Sequence, residues 1–283
     1  MRASLRTVLL AAVAVLAVLP AAAAADNNVV TVSPGHMHGW AFFDDNSGAP
    51  GTGNMVNGPG TPPLGDGSAE LGVAGPGDRQ ILATGAYAGA PLNGIKRLTY
   101  WTNQTYAATD VVGRHAVALQ FDIHYNAGNC DPASATCYQG RLVYEPGVGE
   151  LNPPIQSGWQ RWDALAGHWW ASRQTAFAAN GRCTQAVPCT WAEVNANWPA
   201  AAINVGLLFK VGGGWSAFTG NVDAFTASVA GHGNKTYNFE PRGDNGQGDE
   251  NGDNGDNGDN GDGGSGGDQG NHDGQRDSND LTS

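Results

Sequence analysis

Residues 117–125 read VALQFDIHY, and this stretch gives the clearest indication of the fold. Apolar side chains occupy every second position, with small or polar side chains between them. Because successive side chains of a strand point to opposite faces of a sheet, the alternation predicts a β-strand with one buried face. The residues of the predicted buried face are Val117, Leu119, Phe121, Ile123 and Tyr125, and those of the other face are Ala118, Gln120, Asp122 and His124.

Similar short apolar runs recur along the chain between clusters of Gly, Pro, Asn and Asp, and glycine alone supplies 43 of the 283 residues. This pattern is typical of an all-β domain with many turns. It predicts two packed antiparallel sheets in a jelly-roll-like sandwich, with a closed barrel as the second possibility. TWAEVNANWP predicts one short helix near residues 191–198, because Thr190 and Glu193 form a capping-box pattern.

The first 25 residues have the anatomy of a secretory signal peptide. Arg2 and Arg6 precede an almost wholly apolar run, and the small residues Ala23 and Ala25 fit a cleavage site before Asp26. The apolar run is too short to span a bilayer, so we expect no membrane insertion after signal cleavage. A secreted or cell-surface protein is predicted, with its folded domain in residues 26–242.

Residues 243–283 form a second distinct segment, rich in Asp, Asn and Gly and without any aromatic residue. Such a segment cannot bury enough surface to offset its ordering entropy, so a disordered acidic tail is predicted. Ten aspartates and Glu250 against Arg276 give it a charge of −10 of the total −12. This acidic balance argues against a nucleic-acid partner, which would require a basic face.

The four cysteines lie between these two segments as two close pairs, Cys130 with Cys137 and Cys183 with Cys189. In an exported protein an even number of cysteines predicts disulfides, and three connectivities are possible. We favour the two local pairs, because each would rigidify a polar loop that contains proline. A metal site is the alternative, but neither spacing matches a zinc ligand pattern.

GWQRWDALAGHWW, residues 158–170, places four tryptophans close together. Tryptophan fills protein cores, and its flat ring also stacks on sugars. Trp169 and Trp170 are adjacent, and Trp159 and Trp162 are an odd number of residues apart, so each pair is expected to split between the two sides of a sheet. The charged residues between them could bind sugar hydroxyls. The candidate ligand-binding residues are Trp159, Trp162, Trp169, Trp170, Arg161 and Asp163.

Carboxylates near the two ends of the domain suggest a calcium site. FFDDNSG offers Asp44 and Asp45, and the last strands offer Asp223 and Glu240. In sandwiches of this kind the first and last strands often pair, which would bring these oxygens together, and Ca²⁺ takes several such ligands. Calcium is therefore the candidate cofactor. The alternative is that Asp44 and Asp45 only form a turn with their own backbone.

Several segments are familiar in combination: HGWAFFDDNSG, GRLVYEP, GWQRWDALAGHWW, CTWAEV and GNVDAFTASV followed by TYNFEP. Together they resemble a group of secreted bacterial single-domain β-sandwich proteins to which no activity is attached, over most of residues 30–241. GNVDAFTASV is also loosely similar to the last strand of jelly-roll carbohydrate-binding modules. These resemblances imply an exported sandwich and supply no catalytic residue.

Aromatic density, export and the strand pattern favour a non-catalytic binding module whose partner is an extracellular polysaccharide or glycan. The first alternative is a glycan-active hydrolase or lyase that uses Glu145 with Asp122 or Asp163, since hydrolysis needs two carboxylates beside the bond. Arg141 shares a strand face with Glu145 and is expected to depress its pKa. The second alternative is a structural cell-surface or matrix protein.

Overall fold

The structure is a computed structural model that describes residues 28–45, 50–104, 114–126, 131–148, 151–173 and 183–243. The predicted signal peptide, Cys130 and all but the first residue of the predicted tail lie outside the described residues. The chain divides into two units, Met1–Asn245 and Gly246–Ser283. Everything below concerns the first unit.

The described residues form fourteen strands and one α-helix. The strands are β1 (Val29–Val32), β2 (Trp40–Phe43), β3 (Thr52–Asn57), β4 (Gly67–Val73), β5 (Arg79–Thr84), β6 (Ile95–Gln104), β7 (Ala118–His124), β8 (Gly140–Tyr144), β9 (Gly158–Asp163), β10 (His168–Ala171), β11 (Cys189–Thr190), β12 (Ala202–Gly212), β13 (Phe218–Val229) and β14 (Gly233–Phe239). The helix, α1, is Trp191–Asn197. No helix in the described ranges is long and apolar enough to cross a membrane.

The strands form two sheets, which confirms the predicted all-β, two-sheet architecture. Sheet 1 contains β1, β3, β4, β6, β9, β13 and β14, and sheet 2 has the order β11-β10-β8-β7-β12-β5-β2. The first and last strands pair with each other, and this pair is parallel rather than antiparallel. A parallel pair is possible here because strands from opposite ends of the chain need no short connection.

The long strand β13 organises sheet 1. Its first half pairs with β4 and its second half with β14, while β6 pairs with both halves. The change of partner falls at Asp223 and Ala224, where Ala224 has a φ of 49° and the register with β6 shifts. Such a bulge bends a strand and allows one sheet to divide into two branches. We call this point the fork of β13.

The stretch quoted first, residues 117–125, behaves as predicted. All five apolar side chains of its predicted buried face are fully buried in the core between the sheets. Gln120 and Asp122 point to the other side of sheet 2, where Asp122 bonds to Arg141. This other face is also largely covered: Ala118 and Gln120 are buried, and His124, at the end of β7 opposite Ala202 of β12, is 1 % exposed.

The predicted helix and one predicted disulfide are confirmed. Thr190 caps α1, its side chain accepts the backbone N–H of Glu193, and Glu193 bonds back to Thr190, which completes the capping box. Cys183 is bonded to Cys189 immediately before the helix. Cys137 is also disulfide-bonded. Its predicted partner, Cys130, lies outside the described residues.

Candidate functional site

The four clustered tryptophans occupy three different environments. Trp162 and Trp169 are 1 % and 0 % exposed, and both belong to the hydrophobic core. Their indole N–H groups donate to Thr102 Oγ1 and to the carbonyl of Ala164, each at 2.8 Å. A side chain buried in this way cannot touch a ligand, so these two residues are removed from the candidate binding surface.

The remaining candidates face solvent on opposite sheets. Trp159, Arg161 and Asp163 alternate along β9 and point away from the core on the outer side of sheet 1, opposite in direction to the buried Trp162. Trp170 is half-buried on the outer side of sheet 2, next to the buried Trp169. The predicted alternation is therefore correct, but the six candidates do not form one site.

Trp170 lines a groove on the outer side of sheet 2, with a volume of about 360 Å³. Trp170 lies opposite Val143 of β8, which lies opposite Gln120 of β7, so the groove runs across the strands. Lys210 of β12 and Trp215, in the connection after β12, line it at the far side. We call this surface the sheet 2 groove.

Glu145 is the carboxylate of the sheet 2 groove. It follows β8 and accepts hydrogen bonds from Trp170 Nε1 at 3.3 Å and Gln185 Nε2 at 3.2 Å. Burial raises the pKa of Glu145, and the two hydrogen bonds oppose that effect. The predicted depression of its pKa by Arg141 is therefore wrong, because burial outweighs the two hydrogen bonds and Arg141 does not act on this carboxyl. Gln185 lies in the short loop that the Cys183–Cys189 disulfide closes, so the disulfide helps to position this contact.

Arg141 is engaged elsewhere, in a network of ion pairs beside the groove. Its Nε lies 3.1 Å from Asp122 Oδ1, and its Nη1 lies 2.9 Å from Asp45 Oδ2. Lys210 also bonds to Asp45. Burial raises the pKa of Asp45, but Lys210 and Arg141 outweigh it and hold the pKa below its ordinary value. For Asp122 burial outweighs Arg141, and the pKa is raised. The network fixes Arg141 and Lys210 in place along the groove.

The four predicted calcium ligands are divided between the sheets. Asp44 and Asp45 follow β2 of sheet 2, and Asp45 is already paired with two cations. Asp223 lies at the fork of β13 in sheet 1, and Glu240 directly follows β14 of the same sheet. There Asp223 accepts backbone N–H groups of Leu64 and Phe239 at 3.0 and 3.1 Å. The pairing of β1 with β14 does not bring the two groups together, because Asp44 and Asp45 lie beyond β2, which belongs to the other sheet.

Glu240 adds a similar contact, accepting the N–H of Asp66 at 3.1 Å. These carboxylates tie the segment before β4 to the end of β14. The described residues contain no cluster of three or more His, Cys, Asp or Glu side chains that could hold a metal ion. Calcium as a cofactor of the domain stays a prediction.

Sequence reasoning missed much of the sheet 2 groove. Gln120 and Arg141 occupy outward positions in strands whose alternation was readable, and this is the signal that could have identified them. Trp215 gave no such signal, since it follows three glycines outside any strand. It stacks on His115 with a centroid distance of 4.2 Å. Tyr138 also lines the groove but lies in a connection before β8, so the strand pattern does not identify it either.

Comparison with protein-family models, with curated proteins and with solved structures finds no match for this chain. The resemblance to secreted β-sandwich proteins therefore stays a prediction, and function has to be argued from the two outer faces themselves.

Proposed function

We propose that this domain is a secreted, non-catalytic module that binds polysaccharide in the sheet 2 groove. The observation that carries the proposal is the arrangement around Trp170. A half-buried indole ring is fixed by its N–H bond to Glu145, and Gln185, which donates to the same carboxylate, lines the groove together with Arg141. A sugar presents apolar C–H faces and a rim of hydroxyls, so a fixed aromatic plane beside fixed donors and acceptors suits it.

The course of the groove supports a linear chain as ligand. Neighbouring strands lie about 4.8 Å apart, so the three steps from β10 to β12 span roughly 14 Å. Trp170 lies at one end of this path, and the edge of Trp215, which is only 9 % exposed, lies at the other. Several consecutive sugar units fit along such a path, lying across the strands. Because most of the lining side chains come from strands, the site is held rigidly before the ligand arrives.

A glycan-active enzyme is the second candidate function, and Glu145 favours it. A half-buried carboxyl with a raised pKa in a groove is a common sign of an acid catalyst. The predicted partners of Glu145 are not beside it, however. Asp122 is paired with Arg141, and Asp163 lies on sheet 1. Among the described residues that line the groove, Glu145 is the sole carboxylate, whereas glycoside hydrolysis generally uses two. Binding without catalysis is therefore the better-supported function.

Replacing Trp170 tests the binding proposal. We expect Trp170→Ala to weaken binding to the preferred polysaccharide about tenfold or more, since aromatic anchors carry most of the affinity at such sites. The measurement is a binding screen of the mature chain against soluble and insoluble polysaccharides, followed by titration of the best ligand. Phe43→Ala is the matched control, because Phe43 is an exposed aromatic residue of the same sheet that does not line the groove.

Three outcomes separate the candidate functions. Equal affinities of wild type and Trp170→Ala would remove the groove as the binding site. Release of new reducing ends or unsaturated sugars during incubation, abolished in Glu145→Gln, would establish the enzyme instead. If the protein bound no polysaccharide, a structural role at the cell surface would be the remaining candidate function.

A further inference from the structure

The outer side of sheet 1 carries a second aromatic surface, facing away from the sheet 2 groove. Trp101 of β6 lies opposite Arg161 of β9, and Trp159 lies opposite Asn103. Both tryptophans are half-buried and line one hollow of about 580 Å³. The indole N–H of Trp159 donates to the carbonyl of Pro59 at 2.8 Å, which fixes its ring. We call this surface the Trp101–Trp159 face.

The charge on this face is positive, although the protein as a whole carries −12. Arg97 and Arg161 are exposed and line the hollow with the two tryptophans. Neither arginine forms an ion pair with another residue in the described part of the chain. Asp163, exposed on the same side of β9, offsets one of the two charges. Within the part of the chain that the structure describes, both guanidinium groups are therefore available to a ligand beside the aromatic rings.

The floor of the hollow is uncharged and hydroxyl-rich. Thr226 of β13 and Thr236 of β14 lie opposite each other, and their hydroxyls are hydrogen-bonded at 2.9 Å. Thr99 of β6 lies opposite Thr226 on the other side. Threonine hydroxyls both donate and accept, so they can bind the hydroxyls of a sugar but supply no charge. Selectivity for charge must then come from the two arginines.

We propose that the Trp101–Trp159 face is a second glycan site and that it binds acidic polysaccharide, a chain that carries carboxylate or sulfate groups. The indole rings stack on the sugar rings, and Arg161 and Arg97 bind the anionic groups, for which the planar guanidinium geometry is suited. The net charge of the protein cannot cause this preference, because it repels polyanions. The preference is local to the face.

The position of the two sites has a consequence that rests on the proposed function of the groove. The groove and the Trp101–Trp159 face lie on outward sides of different sheets, so a chain bound at one does not cover the other. One domain then binds two chains and links an acidic polysaccharide to the ligand of the groove. Linking of this kind raises the avidity for a mixed matrix without any new contact.

The test is a titration of the mature full-length chain with oligogalacturonate and with its fully methyl-esterified form, which keeps the sugar ring and removes the charge. A second pair, dextran sulfate and dextran, separates sulfate from carboxylate as the recognised group. We expect the charged member of a pair to bind about three- to tenfold more tightly, since exposed ion pairs contribute modestly. This advantage should shrink as ionic strength rises.

Two variants and a control assign the binding to the face. Trp159→Ala should weaken binding of both members of a pair about tenfold. Arg161→Gln should weaken only the charged member, about two- to fivefold. Lys96→Gln removes a positive charge from the same strand, outside the hollow, and should have no effect. Trp101→Ala replaces Trp159→Ala if that variant loses the native circular dichroism spectrum.

Equal binding of the charged and neutral members, or equal effects of Arg161→Gln and Lys96→Gln, would overturn the proposal. The stoichiometry distinguishes its failure from failure of the groove. Binding that persists in Trp170→Ala and is lost in Trp159→Ala supports the face alone. Binding that persists in Trp159→Ala and is lost in Trp170→Ala supports the groove alone. Two chains bound per protein, reduced to one by either variant, support both sites and the bridging between them.

Discussion

Trp169→Ala is expected to lower the free energy of unfolding by about 3–5 kcal/mol. The ring is fully buried and stacks on Phe121 at a centroid distance of 5.3 Å, with Trp191 at 5.2 Å and Tyr144 at 5.6 Å. Alanine would leave a large cavity among these aromatic neighbours. It would also leave the buried carbonyl of Ala164 without the indole donor, which adds a desolvation cost. Since small domains unfold with about 5–15 kcal/mol, this loss removes a large share of the stability.

Urea unfolding followed by circular dichroism measures the effect, and the neighbouring residue supplies the control. Trp170→Ala removes the same side chain one position away, where it is half-buried, so we expect a loss of at most about 1.5 kcal/mol. Trp169→Phe keeps a ring in the cavity and should cost less than Trp169→Ala. Equal destabilisation by Trp169→Ala and Trp170→Ala would contradict the assignment of one ring to the core and the other to the groove.

The strand alternation that separates these two rings could be predicted from the sequence, and so could much of the fold. Period-two patterns report local geometry, which is why the buried face of residues 117–125 and the opposite directions of Trp159 and Trp162 agree with the structure. The capping box at Thr190 is a local signal too. Each of these features depends on residues within one element, so no knowledge of distant partners is needed.

The grouping of the candidate residues could not be predicted in this way. β9 pairs with β6 in sheet 1, whereas β10 pairs with β8 in sheet 2, so the chain changes sheets between Asp163 and His168. Trp159 and Trp170, close in sequence, consequently face away from each other. Local patterns fix the side of a strand on which a residue lies, but the sheet to which the strand belongs depends on distant pairing.

The electrostatics of the site depends on distant contacts for the same reason. Arg141 and Glu145 lie on one strand face, which suggested an interaction between them. Arg141 instead binds Asp45, 96 positions away in the sequence, together with Asp122 of the neighbouring strand. Glu145 is left with Trp170 and Gln185, and burial then decides its pKa. The chemistry of the groove therefore follows from the packing of five strands rather than from any motif.

We expect the domain to lose stability as the pH rises from about 4 to about 7.5, because the buried carboxyl of Asp223 ionises in this range. Burial raises the pKa of Asp223 to about 7 from an ordinary value of 3.8, although backbone N–H groups of Phe239, Ala224 and Leu64 favour the ionised form. Between these values the folded protein holds a proton that the unfolded chain releases. The stability that this difference in pKa gives the folded protein is fully present below the pKa of the unfolded chain. It falls as the pH rises to the pKa of the folded protein, by a total on the order of 4 kcal/mol.

The difference in unfolding free energy between wild type and Asp223→Asn isolates this contribution, since the amide does not titrate. Urea unfolding at several pH values should show the wild type losing stability relative to the variant as the pH rises. Asp45→Asn provides a control of opposite sign, because the pKa of Asp45 is lowered and its contribution is lost on acidification. A wild-type minus Asp223→Asn difference that stays constant with pH would show that the N–H donors keep the carboxylate ionised throughout.

The position of Asp223 connects this titration to the Trp101–Trp159 face. Asp223 accepts a hydrogen bond from the backbone N–H of Leu64, and Leu64 lines the same hollow as Trp159. Pro59, which fixes the indole of Trp159, belongs to the same segment between β3 and β4. Ionisation of Asp223 puts a buried negative charge at the fork of β13, near the Glu240 carboxylate, and burial makes that charge costly even though three backbone N–H groups donate to it. Loosening of the segment should then begin at the pH at which the global stability falls, and affinity at the face should decline with it, while Trp170 in sheet 2 keeps its ligand.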